Sequence, residues 1–230
     1  MKRILLKISG EAFSSNEEAI DIRNAKKVAE FIAHFYTQGY EIAIVLGGGN
    51  IYRGSKLIAG GLKASDSHSM SMLSTVFNAV TLKNTLQDIG MSAVVLDALH
   101  VEFLESYTSE KGKNYLKQGN IVICSSGIGN PFFTTDTTGV LRALELECEI
   151  VVKLTKVDGV YDKDPIKYSD AIYYSEISCD DFLQRNLQVF DATGIILARD
   201  NKLPLYISKI GDIEAFTSIL LGKKAGTKIF

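Results

Sequence analysis

The sequence predicts an α/β protein whose parallel sheet is covered on both faces by helices. Short apolar runs alternate with amphipathic helical patterns up to about residue 155, as in a series of strand–helix–strand units. Several apolar runs end in glycine-bearing turns: Lys7-Ile8-Ser9-Gly10, Gly47-Gly48-Gly49-Asn50 and Gly127-Ile128-Gly129-Asn130-Pro131. Ligands of such sheets bind beyond the carboxyl ends of the strands, where all three turns are expected. At 230 residues and 46% hydrophobic content, the chain can bury a large core.

Ile4–Ile8 reads as the first strand. Ala25–Tyr36 reads as a helix with Val28, Phe31, Ile32 and Phe35 on one face, ended by Gly39. Glu41–Leu46 is the second strand, and Met70–Leu86 has helical spacing with Leu73, Val76, Phe77 and Val80 on one side. Ser92–Leu96 and Asn120–Cys124 are strands flanking a helix at Lys111–Lys117; Thr134–Leu146 is a helix and Glu149–Leu154 a strand. The texture then changes. Val157-Asp158-Gly159-Val160-Tyr161 sets an Asp-Gly turn between β-formers, which predicts a tight hairpin, and Asp164-Pro165 predicts another turn. Ser178–Gln184, Thr193–Arg199 and Ile213–Leu220 read as helices, Leu203–Ile207 as a strand and Thr227–Phe230 as a final edge strand. With no repeat or long linker, residues 1–230 are expected to form one domain with two lobes, about 1–150 and about 151–230.

Composition excludes several classes of function. A formal net charge of -2 argues against a general nucleic-acid binder, which would carry a basic excess. No apolar stretch approaches the ~20 residues of a membrane span. Met1 to Leu6 runs directly into a strand pattern, so no secretory leader is expected. Cys124, Cys148 and Cys179 have no metal-ligand spacing and are read as buried, reduced thiols of a cytoplasmic protein. His34, His68 and His100 form no triad or zinc pattern, and no ligand cluster predicts a protein-caged metal.

Four segments carry chemistry. Lys7-Ile8-Ser9-Gly10 is short, and a plain strand-end turn explains it as well as a phosphate site; in the second case Lys7 follows charge as it moves between donor and acceptor. Gly47-Gly48-Gly49 is more specific. A structural turn rarely needs three glycines in a row, whereas close approach of an anion to the main chain does, with Arg53 as an added cationic fork. The stretch from Ser126 to Asp136 joins glycines, an amide, Phe132, Phe133, Thr134, Thr135 and a carboxylate at one loop-to-helix junction. A capped helix with both phenylalanines in the core accounts for part of it, but not for Gly127-Ile128-Gly129-Asn130. Its chemistry suits a small planar ligand carrying phosphate. Lys153 to Pro165 places polar groups at a strand end and hairpin, and by composition alone is an ordinary solvated turn.

At these segments the chain resembles the amino acid kinase family and, within it, the bacterial uridylate (UMP) kinases. The resemblance is collinear over essentially the whole chain. It rests on Gly129-Asn130-Pro131-Phe132-Phe133-Thr134-Thr135-Asp136, on Thr155-Lys156-Val157-Asp158-Gly159-Val160-Tyr161 and on Val189-Phe190-Asp191-Ala192-Thr193. It implies a three-layer αβα sandwich, a cytoplasmic homohexamer, and transfer of the ATP γ-phosphate to UMP with Mg²⁺ held mainly by ATP. It also implies that the first lobe binds the acceptor and the second binds ATP. Lys7, Ile8, Ser9 and Gly10 would hold ATP phosphates, with Gly49 and Arg53 on the ATP side of the reaction centre. Gly48 and the run Ile128, Gly129, Asn130, Pro131, Phe132, Phe133, Thr134 and Thr135 would hold UMP. Thr155, Tyr161 and Asp164 would bind the adenosine, while Asp136 and Asp191 would organise the lysines and the metal.

The chain departs from the family pattern in the acceptor pocket. The usual Gly-Asp-x-Met-Gly-Met becomes Ser67-His68-Ser69-Met70-Ser71-Met72, so His68 stands where the ribose-binding aspartate is expected. Asp66 lies two residues earlier, and either Asp66 or His68 would take its place. Ile128 replaces a threonine. Two other readings stay open on the residues alone: a kinase of this family acting on another acceptor, and a non-catalytic nucleotide-binding homologue.

Overall fold

The chain opens with β1 (Arg3–Ile8) and a 3-10 turn at Gly10–Ala12, followed by α1 (Ile22–Tyr36) and β2 (Glu41–Leu46). Next come α2 (Gly54–Ala59), α3 (Ala64–Asp88), β3 (Ala93–Asp97), β4 (Glu105–Ser106), α4 (Ser109–Lys117) and β5 (Ile121–Ser125). Then α5 (Thr135–Glu145) leads into β6 (Ile150–Thr155), β7 (Val160–Tyr161), β8 (Tyr173–Tyr174) and β9 (Glu176–Ile177). The chain finishes with α6 (Cys179–Gln184), α7 (Ala192–Asp200), β10 (Leu205–Lys209), α8 (Ile213–Leu220) and β11 (Thr227–Ile229). This structure, a computed structural model, describes residues 2–230 and, apart from 55–57, their side chains; Met1 lies outside the described residues.

Nine strands form one sheet in the order β4-β3-β5-β2-β1-β6-β10-β11-β9, and a separate small sheet pairs β7 with β8. Within the large sheet β10–β11 is the antiparallel pair, and the other neighbours are parallel. Because side chains alternate along a strand, the apolar runs of β1 and β2 feed two cores. Ile4, Leu6, Ile8, Ile42 and Ile44 meet α1, α3 and α8 on one face through Phe31, Phe35, Leu82, Leu86 and Phe216. Leu5, Ala43, Val45, Val122 and Val151 meet α5 and α7 on the other through Val140, Ala143, Ile195 and Ala198. The result is a three-layer αβα sandwich, as expected. Cys124, Cys148 and Cys179 are free and buried within it.

The structure corrects the sequence reading in four places. The third helix runs over Ala64–Asp88 instead of Met70–Leu86. Its serine-rich first turns have modest helix propensity, but Ser67 Oγ donates to Gly54 O (3.0 Å) and Ser74 Oγ to Gly48 O (3.2 Å), so packing on the glycine loop sustains them. Its core face is Ala79, Leu82 and Leu86; Leu73 and Phe77 are exposed, Phe77 at 61%. The Asp158-Gly159 hairpin does not form. Val160–Tyr161 pairs instead with Tyr173–Tyr174, and Val160 N–H donates to Thr227 Oγ1 at 2.8 Å. Finally, β11 is not the edge of the sheet, since β9 pairs outside it.

Candidate active site

Parallel register sets Ile8 beside Leu46 and Leu154, and Val45 beside Cys124, so β1, β2, β5 and β6 end at one rim. The turns that leave these strands therefore share one edge of the sheet. The first two lock together. Gly47 N–H donates to Ile8 O (2.9 Å), while Asn78 of α3 reaches both Gly47 O (2.7 Å) and Asn50 Oδ1 (2.8 Å). A Cβ on Gly10 would stand 2.3 Å from Asn50 Oδ1 and 2.6 Å from Gly47 O, so only glycine fits. At Gly48 a Cβ would fall 2.0 Å from Ser74 Oγ, so a larger residue would have to displace that side chain.

Register also places Lys7 of β1 directly beside Lys153 of β6. Two buried ammonium groups side by side require an anion, and α5 supplies it. Asp136 lies 2.8 Å from Lys7 Nζ through Oδ1 and 2.7 Å from Lys153 Nζ through Oδ2. Burial alone would raise the Asp136 carboxyl, yet the two lysines outweigh it and hold it below the usual carboxylate range. Burial, reinforced by the charge of Lys7, pulls Lys153 down to about 8 against the attraction of Asp136. Lys153 also donates to Val189 O and lies over the Phe190 ring. Lys153 is not among the site residues that the sequence indicates. A lysine within an apolar strand carries no signal until register sets it beside Lys7.

Asp191 holds the same region from the next helix. It caps α7 by accepting from Gly194 N–H (2.9 Å), and it accepts from Thr137 N–H (2.9 Å), Thr137 Oγ1 (2.7 Å) and the Thr134 hydroxyl. It thus ties the N-termini of α5 and α7 together. Of the two candidate caps, Thr134 and Thr135, it is Thr134 that caps α5.

Between the glycine loop, α3 and the N-terminus of α5 lies a cavity of about 330 Å³. Gly48, Gly49, His68, Ile128, Asn130, Phe133, Thr134 and Thr135 line it, together with Tyr52, Ser71, Met72, Thr75, Gly127 and Thr138. Gly129, Pro131 and Phe132 belong to the same loop but not to this lining. Both phenylalanines are largely exposed, Phe132 at 69%, and neither belongs to the core. His68 Nδ1 accepts from Phe132 N–H at 2.7 Å and its ring rests against the Phe132 ring, so α3 carries one wall of the loop. Asp66 is exposed, bonded to Ser65 and outside the cavity lining.

The loop is held in an uncommon conformation, with Ser126 at φ 61° and Phe132 at φ 72°. Two residues that sequence reading did not single out fix it. Buried Asp97 accepts from the hydroxyls of Ser125 (2.7 Å) and Ser126 (2.5 Å) and from the amides of Leu99 (2.9 Å) and Val101 (3.1 Å). Burial opposes its ionisation, but these donors keep its carboxyl below the usual range. Arg142, stacked over Tyr107, donates to Gly127 O at 3.0 Å.

A second cavity, about 400 Å³, opens beside β7. Tyr161 and Asp164 line it with Gly159, Lys163, Leu187 and Val189, whereas Thr155 lies outside it. Val189 links this cavity to Lys153. Arg53 is turned toward Glu11, with which it forms an ion pair, and Nε donates to Gly49 O at 3.3 Å. No helix among the described residues is long and apolar enough to cross a membrane.

Known proteins resemble the chain in sequence and fold over nearly its whole length. The chain is 40% identical to the uridylate kinase of Dichelobacter nodosus, covering 98% of this chain and 95% of that one. Its structure superposes on the UMP kinase from Bacillus anthracis with a TM-score of 0.94 at 30% identity, covering 99% of this chain and 95% of the other. The UMP kinase from Ureaplasma parvum gives a TM-score of 0.91 at 32% identity, covering 99% and 98%. Residues 2–209 match the Amino acid kinase family. With its rim of strand-end glycine turns and its two lysines shared by one carboxylate, the chain belongs to the amino acid kinase family.

Proposed function

We propose that the protein transfers the γ-phosphoryl group of ATP to UMP, giving ADP and UDP, in cytoplasmic pyrimidine nucleotide biosynthesis. One observation carries this reading: the Lys7–Asp136–Lys153 network lies at the N-terminus of α5, whose preceding residues line the cavity of about 330 Å³. UMP occupies that cavity, its phosphate toward Gly48 and the α5 N-terminus, where backbone amides and the helix dipole favour an anion. Gly129, Pro131 and Phe132 shape the loop around it, and His68 replaces the ribose-binding carboxylate in preference to Asp66. ATP enters from the other lobe. Its adenosine lies in the cavity lined by Tyr161 and Asp164, near Thr155, and its phosphates reach Lys7, Ile8, Ser9, Gly10, Gly49 and Arg53.

The acceptor phosphate is already ionised at neutral pH, so no general base is required. Catalysis is alignment plus neutralisation of charge. Lys7 and Lys153 offset the repulsion between two anions, and Asp136 keeps both ammonium groups in place while they are buried. Kinase chemistry calls for a divalent metal, here Mg²⁺, which prefers hard oxygen ligands. Asp136 and Asp191 are the carboxylates at the N-termini of α5 and α7, but the lysines and helix amides already engage their oxygens, so the ATP phosphates would supply most of the ion's ligands. When bound, the metal would supply further neutralisation of charge on the phosphate oxygens. The exposed stripe of Met70, Leu73 and Phe77 on α3 supports self-association, in keeping with a homohexamer.

A coupled assay of ADP release with a panel of nucleoside monophosphates and small carboxylic acids tests the acceptor. UMP is expected to dominate; preference for a carboxylate would overturn the reading. Lys7→Ala should lower turnover on the order of 10²–10³-fold in a correctly folded protein. Full turnover in that variant would remove Lys7 from the mechanism.

A further inference from the structure

Glu11 and Lys156 belong to none of the residue sets assigned above, yet they meet at the same rim. Glu11 lies in the 3-10 turn that leaves the Lys7–Gly10 bend, Lys156 directly follows β6, and Arg53 follows the glycine loop. The Glu11 carboxylate divides itself between two cations: Oε1 pairs with Arg53 Nη2, and Oε2 lies 3.0 Å from Lys156 Nζ. Three strand ends are thereby joined by one anion. Two oxygens of a phosphate would make the same bridge between a guanidinium and an ammonium. The hydrogen bond from Lys156 is the main cause that holds the Glu11 carboxyl below its ordinary value, with burial opposing it. Lys156 and Arg53 are both more than half exposed, so the bridge is weak and open to exchange with a solute anion.

We propose that Lys156 is a further ligand of the donor's phosphates, acting with Arg53, and that Glu11 is an internal anion that occupies both cations until the donor displaces it. This rests on the reading that ATP phosphates enter this rim. Exchange, in place of simple addition, explains why two cations facing a polyphosphate site are already paired. A triphosphate carries more charge than one carboxylate and offers oxygens to both cations at once, so it wins the competition. Glu11 keeps the two side chains from scattering into solvent in the meantime.

Calorimetric titration with a non-hydrolysable ATP analogue tests the exchange. Glu11→Gln preserves size and removes the charge. It should tighten analogue binding by about two- to fivefold, the span expected of an exposed ion pair, and the gain should shrink as salt is raised. Lys156→Met should weaken binding by a similar factor, and Glu11→Gln added to it should bring a smaller gain than in the parent. UMP binding should not change in either variant. Unchanged or weaker analogue binding in Glu11→Gln, or unchanged binding in Lys156→Met, overturns the proposal, thermal melts having shown both variants folded. An unmodified protein that binds the analogue but forms no UDP defeats the proposed function alone. An unmodified protein that binds no analogue defeats both.

Discussion

Two regions along the rim are built in different ways. On the side proposed for the donor, Lys7 and Asp136 are buried, Lys153 nearly so, and the carboxylate pairs with both ammonium groups, so their positions are set before any ligand arrives. On the side proposed for the acceptor the cavity is lined by hydroxyls, main chain, the Asn130 amide, one imidazole and the apolar side chains of Met72, Ile128 and Phe133, and the loop that closes it exposes both of its aromatic rings. A fixed charge array suits the part of the reaction common to every turnover, the moving phosphoryl group. A neutral lining suits the part that must identify one acceptor among similar ones, because neutral hydrogen bonds discriminate by geometry more than by charge. On the function proposed above, the difference separates rate from selectivity along a single edge of the sheet.

Breaking the donor half should have the largest effect. Asp136→Asn leaves two buried ammonium groups without their anion, and losing one partner of such a buried pair costs about 3–5 kcal/mol. The urea midpoint should fall accordingly, and turnover should fall by on the order of 10²-fold or more. Retained stability would mean that the two lysines find other partners and that the array is not fixed in advance.

A pH profile sharpens the contrast without changing the donor array's covalent structure. Lys153 is held down to about 8, so the free enzyme loses that positive charge as pH rises through this value. The parameter kcat/KM for ATP, which reports ionisations of the free enzyme, should decline across the same range. The sign follows from the charge: a neutral amine cannot attract phosphate, so activity is present below about 8 and lost above it. Lys153→Arg keeps its charge throughout and should remove the decline. A profile unchanged by that substitution would assign the ionisation to another group.

The acceptor half should respond more gently. With Nδ1 engaged by Phe132 N–H, His68 has Nε2 left to meet a ligand. His68→Ala removes the ligand hydrogen bond, worth about 1 kcal/mol, together with the one from Phe132 N–H, and should raise KM for UMP by at least about fivefold with little change in KM for ATP. A matching loss for both substrates would show that His68 supports the whole rim and does not act in acceptor choice.

Much of this could be read from residue order, for reasons that differ between elements. Strand ends were visible because an apolar run followed by glycine reflects a local demand, and Glu41–Leu46 and Ile213–Leu220 fall where periodicity placed them. The segment Gly127 to Asp136 was legible because its mixture of glycine, amide and hydroxyl serves no packing need. The losses came from tertiary context. Nothing local marks Lys153, since its role depends on which strand lies beside it. Ser67 and Ser74 extend α3 only because backbone carbonyls of the glycine loop wait opposite them. Asp158-Gly159 had the composition of a tight turn, but Val160 found a better partner in Tyr174 and in the Thr227 hydroxyl. Asp97 resembled any strand-end acid until its four donors appeared.

The clasp formed by Asn50, Asn78 and Gly47 has a mechanical consequence. Together with the Gly47 N–H bond to Ile8 O, it makes the bends after β1 and β2 a single stiff part, bolted to the middle of α3. Neither bend can shift to greet its own substrate without dragging the other, so opening and closing must be borne by segments outside the clasp. Asn78 is therefore the bolt whose loosening would let both bends drift, although it belongs to neither.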